Sequence, residues 1–177
     1  MFKIRKANIE DVEEIVDINI RVWKTTYNGI INNDYLLDRE KDKAKKILKM
    51  KNSFKSNKIY RCVSLYNNKI VGFIIYGELN NIDKYKFRNT GEIYALYILK
   101  DYQRMGLGRN LVKYAINDLV KLKKYNKMVI WSLDENPNIN FYLKLGGSSE
   151  LREEIIFGKQ VLGKTGFVFS SLNNFLE

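Results

Sequence analysis

A short glycine loop, residues 103–109, is the part of the sequence whose composition most clearly indicates chemistry. It reads Gln-Arg-Met-Gly-Leu-Gly-Arg and separates the apolar run 93–99 from a pattern typical of an amphipathic helix. The first backbone N–H groups of a helix have no partner within it, and the helix dipole adds partial positive charge there. Glycines let the backbone approach a diphosphate closely, and Arg104 and Arg109 flank the loop with cations. The loop therefore predicts a site for a phosphate-bearing cofactor.

Two common phosphate-binding loops are excluded by the residues around the glycines. A Walker loop ends in Gly-Lys-Ser/Thr, whereas Gly108 is followed by Arg109 and Asn110. A dinucleotide fingerprint has a third glycine and lies near the start of a βαβ unit, whereas this chain has Leu111 at that position, past its middle. A tight turn without a ligand is the alternative for a lone glycine pair.

A second segment, 135–147, follows the apolar run 128–133 and contains Asn136, the pair Phe141-Tyr142 and a Gly-Gly pair. Together with Gln103-x-x-Gly106-x-Gly108, it resembles the GCN5-related N-acetyltransferase (GNAT) family, which has these motifs in the same order. The sequence departs from the family at Asn138, where alanine is common, and this departure concerns packing rather than chemistry. The resemblance covers nearly the whole chain.

The resemblance implies a fold, a cofactor and a reaction. The fold is α/β (α+β), a mixed, mostly antiparallel central β-sheet flanked by helices, as a single acetyltransferase domain over residues 1–177. The reaction is direct transfer of an acetyl group from acetyl-CoA to an amine in a ternary complex. The matching cofactor-binding positions in this chain are Leu96, Tyr97, Ile98, Gln103, Arg104, Met105, Gly106, Leu107, Gly108, Arg109, Asn136, Phe141 and Tyr142.

Backbone of the central strand is expected to polarise the acetyl carbonyl. In the family this strand bulges and separates from the next strand, which leaves unpaired N–H and C=O groups. Leu96, Tyr97 and Ile98 would then hydrogen-bond the pantetheine arm and the acetyl oxygen. The alternative from the sequence is an unbroken buried strand.

Acetyl transfer requires that the acceptor amine lose a proton, because an alkyl ammonium has a pKa of about ten. The chain contains no histidine, so the base must be a carboxylate, a tyrosine or a water relay. Glu92 is the first candidate because the family often has a glutamate there that acts through water; a solvated strand end is the alternative. Glu78 and Asp134 are weaker candidates. Tyr142 is the candidate acid for the leaving thiolate, whereas Phe141 is expected to fill the core.

The acceptor is expected to bind at the end of the first helix. Trp23, Tyr27 and Tyr35 lie on this helix or just after it, and the resemblance implies that they line the acceptor pocket. Beside Asp34 and Asp38 these aromatic rings could hold a cation. The alternative is an amphipathic helix end packed on the sheet. The region is also similar to polyamine and phosphinothricin acetyltransferases, too loosely to name a substrate.

The formal net charge of +11 raises the possibility of nucleic-acid binding. The lysines are spread along the chain, however, and no nucleic-acid motif accompanies them, so nucleic acid is the disfavoured interpretation. The charge also disfavours a strongly cationic acceptor unless acidic residues gather at its pocket. A non-catalytic sensor or scaffold that binds acyl-CoA is a further alternative to the enzyme.

The remaining composition indicates a cytoplasmic protein. A single cysteine, Cys62, cannot form an internal disulfide and is expected in the core. The first residues are too charged for a signal peptide, no apolar run is long enough to span a membrane, and nothing resembles a metal site. The family resemblance makes a homodimer possible.

The periodicity predicts strands at 2–6, 61–66, 69–79, 92–99 and 128–133, and a terminal strand pair near 149–157 and 162–170. Asn8 is expected to cap the first helix, and Asn67-Asn68 to form a tight hairpin. A second helix is predicted from Asp34 toward Met50 with Ala44, Ile47 and Leu48 facing inward. Residues 80–90 are expected to form a polar loop.

Overall fold

The computed structural model describes residues 1–80, 85, 87–123 and 125–175. Within these ranges, strands form one mixed sheet in the order β1-β2-β3-β4-β5-β7-β6. All neighbours are antiparallel except the central pair β4 and β5, which is parallel. The strands are β1 (Phe2–Lys6), β2 (Ile59–Tyr66), β3 (Lys69–Glu78), β4 (Thr90–Ile98), β5 (Lys127–Leu133), β6 (Ser148–Phe157) and β7 (Gln160–Phe169). The predicted fold class is confirmed.

Helices cover both faces of this sheet. The long helices α1 and α4 pack on opposite faces because each carries an apolar stripe that is buried against the strands. The helices are α1 (Val12–Thr26), α2 (Asn33–Lys41), α3 (Lys43–Ser53), α4 (Leu107–Lys123) and α5 (Ile139–Lys144), with 3₁₀ turns at Ile9–Asp11, Lys100–Tyr102 and Leu172–Phe175. Among the described residues, no helix combines the length and apolar character needed to span a membrane.

The start of α1 follows the predicted capping. The Asn8 side chain accepts the Asp11 N–H at 3.1 Å, and the Asp11 carboxylate accepts the Asn8 N–H at 2.8 Å, which makes a capping box on the 3₁₀ turn before α1. Arg5 of β1 donates to both carboxylate oxygens of Asp11, at 2.6 and 2.8 Å. This contact joins the first strand to the first helix.

The β2–β3 hairpin also forms as expected. Asn67 and Asn68 have φ values of 48° and 63°, the left-handed region that asparagine tolerates in tight hairpins. Cys62 on β2 is fully buried, which confirms its predicted place in the core, and burial raises the pKa of its thiol to about 11.

The predicted second helix is wrong in its continuity and in two of its inward-facing residues. Asp42 separates α2 from α3, so the pattern from Asp34 toward Met50 forms two helices. Only Ile47 of the three residues predicted to face inward packs on α1, whereas Ala44 and Leu48 are exposed. Residues 81–84 and 86 of the predicted polar loop 80–90 lie outside the described residues, and Thr90 already belongs to β4.

Candidate active site

The sheet divides between β4 and β5. Parallel pairing runs from Thr90–Lys127 to Ile93–Ile130 and ends there. On its other side β4 stays paired with β3 as far as Ile98, with Tyr94 as an extra residue at a bulge. Beyond Ile93, the N–H and C=O groups of β4 that point toward β5 therefore have no strand partner. The predicted bulge and separation are confirmed.

The separated strands form one wall of a cavity of about 560 Å³, a size typical of small-molecule sites. Most of the residues that the sequence predicted to bind cofactor or acceptor line it. They are Tyr27, Leu96, Tyr97, Ile98, Gln103, Arg104, Gly106, Leu107, Gly108, Arg109, Asn136, Phe141 and Tyr142. Four predicted site residues lie outside the lining: Trp23, Tyr35, Glu92 and Met105.

The glycine loop closes one end of this cavity. Its conformation requires left-handed backbone at Arg104 (φ 63°) and Gly106 (φ 79°). The first helical bond of α4 is from Asn110 N–H to Gly106 C=O, so the N–H groups before Asn110 are not used by the helix. The Gln103 side chain donates to Ile98 C=O at 2.9 Å and thereby ties the loop to the end of β4. Together these contacts hold a set of backbone donors, flanked by exposed arginines, at the mouth of the cavity.

Gly108 serves packing rather than conformation. A Cβ at this position would lie 3.1 Å from Cζ of Phe141. The absence of a side chain therefore lets α5 pack closely against the start of α4. Met105, by contrast, is 56% exposed at the outside of the loop.

The short helix α5 is fixed at both ends by hydrogen bonds. Before it, the Asn136 side chain accepts the Asn138 N–H and donates to Ser132 Oγ, both at 2.9 Å. After it, Gly147 N–H bonds to Tyr142 C=O at 3.1 Å, while Gly146 takes φ 94°. Both ends of the Asn136 amide are thus engaged within the chain. The departure at Asn138 disturbs no packing, because Asn138 is exposed.

Tyr142 lies on the inner side of α5 and is only 8% exposed. Its ring stacks on Phe167 with centroids 5.3 Å apart and meets Phe141 edge-on. Burial raises the pKa of the Tyr142 phenol, and a hydrogen bond with Ser132 opposes this only in part. Tyr142 therefore keeps its proton at neutral pH and can donate it into the cavity that it lines.

The aromatic residues after α1 form a cluster beside the cavity. Trp23 Nε1 donates to the Tyr97 hydroxyl at 2.9 Å, and the Trp23 ring packs edge-on against Tyr27 and Phe157. Tyr35 also packs edge-on against Phe157. Only Tyr27 of the three predicted acceptor residues reaches the cavity itself.

The ring of Trp23 is already covered by a cation of the chain itself, the Arg39 guanidinium. The Arg39 guanidinium carbon is 3.5 Å from the centroid of the ring, and Arg39 Nη2 donates to Asn19 Oδ1 at 2.7 Å. The Arg39 charge also acts to lower the pKa values of Tyr27 and Tyr97, although burial raises both overall. The sequence predicts that this aromatic set can hold a cation of the acceptor, whereas in the structure Arg39 covers one face of the Trp23 ring.

The sequence and fold of this chain resemble those of known proteins. A family model described as Acetyltransferase (GNAT) family matches residues 23–147. The chain belongs to this family. Membership confirms the predicted activity class, an N-acetyltransferase, and the predicted cofactor, acetyl-CoA, which is the acyl donor of GNAT enzymes.

Two curated relatives of this GNAT chain cover most of its length. It is 28% identical over 144 residues to the uncharacterised N-acetyltransferase YuaI of Bacillus subtilis, covering 80% of this chain and 78% of YuaI. It is 29% identical over 148 residues to the spermidine N(1)-acetyltransferase of Thermoplasma acidophilum, covering 81% and 86%. Among solved structures, the PaiA N-acetyltransferase of T. acidophilum in complex with coenzyme A superposes with a TM-score of 0.73 at 23% identity, over 93% of this chain and 98% of that one.

Glu92 lies where the GNAT sheet begins to divide. It pairs with Val129 of β5 and Gly77 of β3, and it is 8% exposed. Desolvation raises the pKa of its carboxyl, while hydrogen bonds from Asn80, including the backbone N–H to Oε2 at 2.9 Å, partly oppose the shift. Lys164 also lowers the pKa and Glu153 raises it. Glu92 is therefore a desolvated carboxyl outside the lining of the cavity, not the solvated strand end that was the alternative.

Several lining residues of the GNAT cavity were not singled out from the sequence. Tyr94 and Trp131 line it where β4 and β5 separate, and Asn140 and Lys144 line it from α5. The spacing of Asn140 and Lys144, four apart on a helix, was a signal that could have found them. Ser132 had no comparable signal, because only the fold brings its hydroxyl to Asn136 and Tyr142.

Proposed function

We propose that this GNAT protein transfers the acetyl group of acetyl-CoA to a primary amine of a small molecule or peptide by direct attack in a ternary complex. The observation that carries the proposal is the division of the sheet after Ile93–Ile130, which leaves unpaired strand backbone inside a cavity with an anion loop at its mouth. Acetyl-CoA supplies the thioester; the chain supplies binding, polarisation and proton transfer.

The loop and the strand would hold the two ends of the cofactor. Backbone N–H groups from Gly106 to Arg109, with the exposed side chains of Arg104 and Arg109, suit a diphosphate. The unpaired edge of β4 at 94–98 suits an extended pantetheine arm, which presents amide groups much as a neighbouring strand would. Of these groups, Ile98 C=O is already used by Gln103.

Tyr142 is proposed as the acid that protonates the departing thiolate. Its buried, protonated phenol lines the cavity, and α5 is held at both ends, so the hydroxyl has a fixed position. The Leu96 backbone, on the side of β4 that faces β5, is proposed to polarise the acetyl carbonyl, whereas the Tyr97 backbone faces β3, where Tyr97 pairs with Phe73.

Glu92 is proposed as the base, acting through water. Glu92 does not line the cavity, so the proposed route from the amine to its carboxylate is a relay of water rather than direct contact. Desolvation raises the pKa of the Glu92 carboxyl above its ordinary value, which makes the carboxylate a stronger base. Asn80, which donates to Oε2, holds the carboxylate in place.

The acceptor is proposed to reach the cavity past Tyr27. The spermidine acetyltransferase among the relatives makes polyamines one class to test, and amino acids, antibiotics and peptide N-termini are the others. A cytoplasmic setting is part of the proposal, since a single cysteine leaves the chain without an internal disulfide.

The test is release of free CoA from acetyl-CoA against a panel of polyamines, amino acids, aminoglycosides, phosphinothricin and short peptides. We expect turnover on one class that is abolished when acetyl-CoA is omitted. If CoA binds but no member of the panel is acetylated, a protein substrate or the acyl-CoA sensor replaces the small-molecule or peptide acceptor. If CoA does not bind and the protein instead binds RNA or DNA with steep salt dependence, the nucleic-acid alternative replaces both.

A further inference from the structure

Three tyrosines line the active-site cavity, and two of them, Tyr27 and Tyr97, interact through their hydroxyls. Tyr27 is only 6% exposed, and Asn136 Nδ2 donates to its oxygen at 3.5 Å. Asn136 also donates to Ser132, which is the hydrogen-bond partner of the third tyrosine, Tyr142. The Tyr27–Tyr97 pair is therefore linked through two side chains to the proposed acid, close to where an acceptor amine would react.

The Tyr27–Tyr97 pair has more hydrogens to donate than acceptors to receive them. Trp23 Nε1 donates to the Tyr97 oxygen at 2.9 Å and Asn136 donates to the Tyr27 oxygen, so both oxygens already accept a hydrogen bond. Two hydroxyls have two hydrogens, and only one of these can lie between the two oxygens. The other has no acceptor among the described residues. Because a buried O–H without an acceptor is costly, the pair favours a ligand that supplies one.

A cation without a carboxylate partner lies beside this pair. Arg39 stacks on the ring of Trp23, the residue that donates to Tyr97, and no carboxylate of the described residues pairs with Arg39. The Arg39 charge acts on the hydroxyls of both Tyr27 and Tyr97. The field at the pair is therefore positive, and it strengthens donation from the free hydrogen to an anion.

Within the described lining of the cavity, no acidic side chain opposes this field. Glu92, the proposed base, lies outside the lining. Asp34 and Asp38, which the sequence places beside the aromatic rings, are exposed and do not line the cavity either. Asp38 is in addition paired with Lys41 at 3.0 Å. A second cation on the acceptor would therefore meet no carboxylate in this lining, whereas an anion would meet a hydrogen-bond donor.

We propose that the acceptor is an amine that also has a carboxylate, as an amino acid has, and that the free hydrogen of the Tyr27–Tyr97 pair binds this carboxylate. Arg39 does not line the cavity, so it determines specificity through its charge and through its contact with Trp23. This inference rests on the proposed function, because it names the acceptor class of the same reaction. It predicts that polyamines are poor acceptors.

Binding to the CoA-saturated full chain tests the carboxylate site separately from turnover. Each standard amino acid is compared by calorimetry with its primary amide, which keeps the amine and loses the negative charge. We expect at least one amino acid to bind about tenfold more tightly than its amide. In turnover the amide has the advantage in amine chemistry, because an α-amino group next to an amide has a pKa of about 8 and a carboxylate raises it. A preference for the amino acid must then come from the protein.

Variants of the pair identify the groups that bind the carboxylate. Tyr27→Phe and Tyr97→Phe each remove one hydroxyl and keep the ring, and Tyr114→Phe removes a hydroxyl outside the cavity as a control. We expect the first two to weaken the amino acid about fivefold to tenfold, to leave the amide within about twofold, and to raise KM more than they lower kcat. Arg39→Gln should lower the ratio of amino acid to amide affinity similarly and Arg39→Lys should restore it, whereas loss of packing would weaken both ligands alike.

Several results would overturn the inference. They are absence of amino acid binding, equal affinity for amino acids and amides, tighter binding of spermidine than of every amino acid, and an unchanged affinity ratio in Tyr27→Phe and Tyr97→Phe. Acetylation of polyamines in that case would leave the proposed function intact. Conversely, amino acids that bind through these tyrosines but are not acetylated would support the carboxylate site and contradict the proposed reaction.

Discussion

Arg39 covers one face of Trp23, with its guanidinium carbon 3.5 Å from the ring centroid. The electron-rich face that an acceptor ammonium would seek is therefore occupied by a fixed cation. Trp23 in turn donates a hydrogen bond to the hydroxyl of Tyr97, which lines the cavity. Trp23 therefore lies between the charge of Arg39 and a residue of the cavity lining. We therefore expect this arrangement to disfavour polycationic acceptors.

We expect Arg39→Gln to bind spermidine several-fold more tightly than wild type, because it removes the fixed charge and uncovers Trp23. The measurement is the Kd for spermidine by calorimetry. Arg39→Lys keeps the charge and should resemble wild type, and Lys24→Gln controls for loss of an exposed charge on α1, the helix that carries Trp23. Equal spermidine affinity in all four proteins would show that Arg39 does not act on the acceptor.

Gly106→Glu should abolish high-affinity CoA binding. The substitution adds bulk and negative charge at a position where φ is 79° and where the diphosphate is proposed to lie. Gly158→Glu is a matched control, since Gly158 also has positive φ (63°) and open space around its Cα, but lies in the β6–β7 turn. Both variants should lose about 1–2 kcal/mol of stability from left-handed backbone. Only Gly106→Glu should raise the Kd for CoA, by at least about tenfold; an equal Kd in both would remove the loop from the cofactor site.

Tyr142→Phe should lower kcat by about 100-fold while changing the KM for acetyl-CoA little, because the hydroxyl is proposed to act as an acid rather than to bind. The ring that stacks on Phe167 is retained, so the fold should be unaffected. Tyr114→Phe removes a hydroxyl from α4 outside the cavity and should have wild-type kinetics. Full activity in Tyr142→Phe would exclude it from the mechanism.

The pH dependence of kcat/KM should report on Glu92. Only the ionised carboxylate can accept a proton, and desolvation raises its pKa above the ordinary carboxyl value. Activity should therefore fall as pH drops through that raised pKa, and Glu92→Gln should remove this limb and most of the turnover. Glu78→Gln is the control, since Glu78 is the weaker candidate and pairs with Lys58.

Stability gives a readout for Glu92 that does not depend on activity. A carboxyl with a raised folded-state pKa holds its proton more tightly in the folded chain. Its favourable contribution is therefore present below the unfolded pKa and is lost as pH rises through the folded one. The gain in melting temperature of Glu92→Gln over wild type should be larger at pH 8 than at pH 4. A gain independent of pH would mean that Glu92 titrates normally.

Asp11 should show the opposite dependence. Hydrogen bonds from Arg5, above all, hold the pKa of the Asp11 carboxyl below its ordinary value. The stabilisation is present above the unfolded pKa and is lost as pH falls through the lowered folded pKa. Asp11→Asn should cost about 1–2 kcal/mol in urea unfolding at pH 7, the usual range for a helix cap. That cost should shrink toward pH 2, and a cost that persists there would contradict the ionic account.

Local sequence signals predicted the strands, the capping residue Asn8 and the Asn67-Asn68 turn, because these depend on neighbours in the chain. The break at Asp42 carried no such signal. No glycine or proline marks it, and the helical pattern continues through it, so packing of α3 on α1 determines where α2 ends.

The candidate site likewise has features that the local sequence predicts and features that it does not. Periodicity places Leu96 and Tyr97 on a strand, but it does not say which strand lies beside them or where pairing stops; the motif resemblance supplied that expectation. Contacts between side chains remote in sequence, such as Arg39 with Trp23 and Trp23 with Tyr97, were not predicted because no spacing rule relates a surface arginine to the ring it will cover.

The end of parallel pairing at Ile93 and Ile130 has a thermodynamic consequence. An internal sheet edge without a strand partner leaves backbone N–H and C=O groups unpaired in the folded chain. A ligand that pairs with these groups binds the native state but not the unfolded one. The free energy of unfolding must then rise with cofactor concentration, by about 2.7 kcal/mol when that concentration is 100 times the Kd. Resistance of this protein to heat and proteolysis would thus follow the acetyl-CoA supply of the cell.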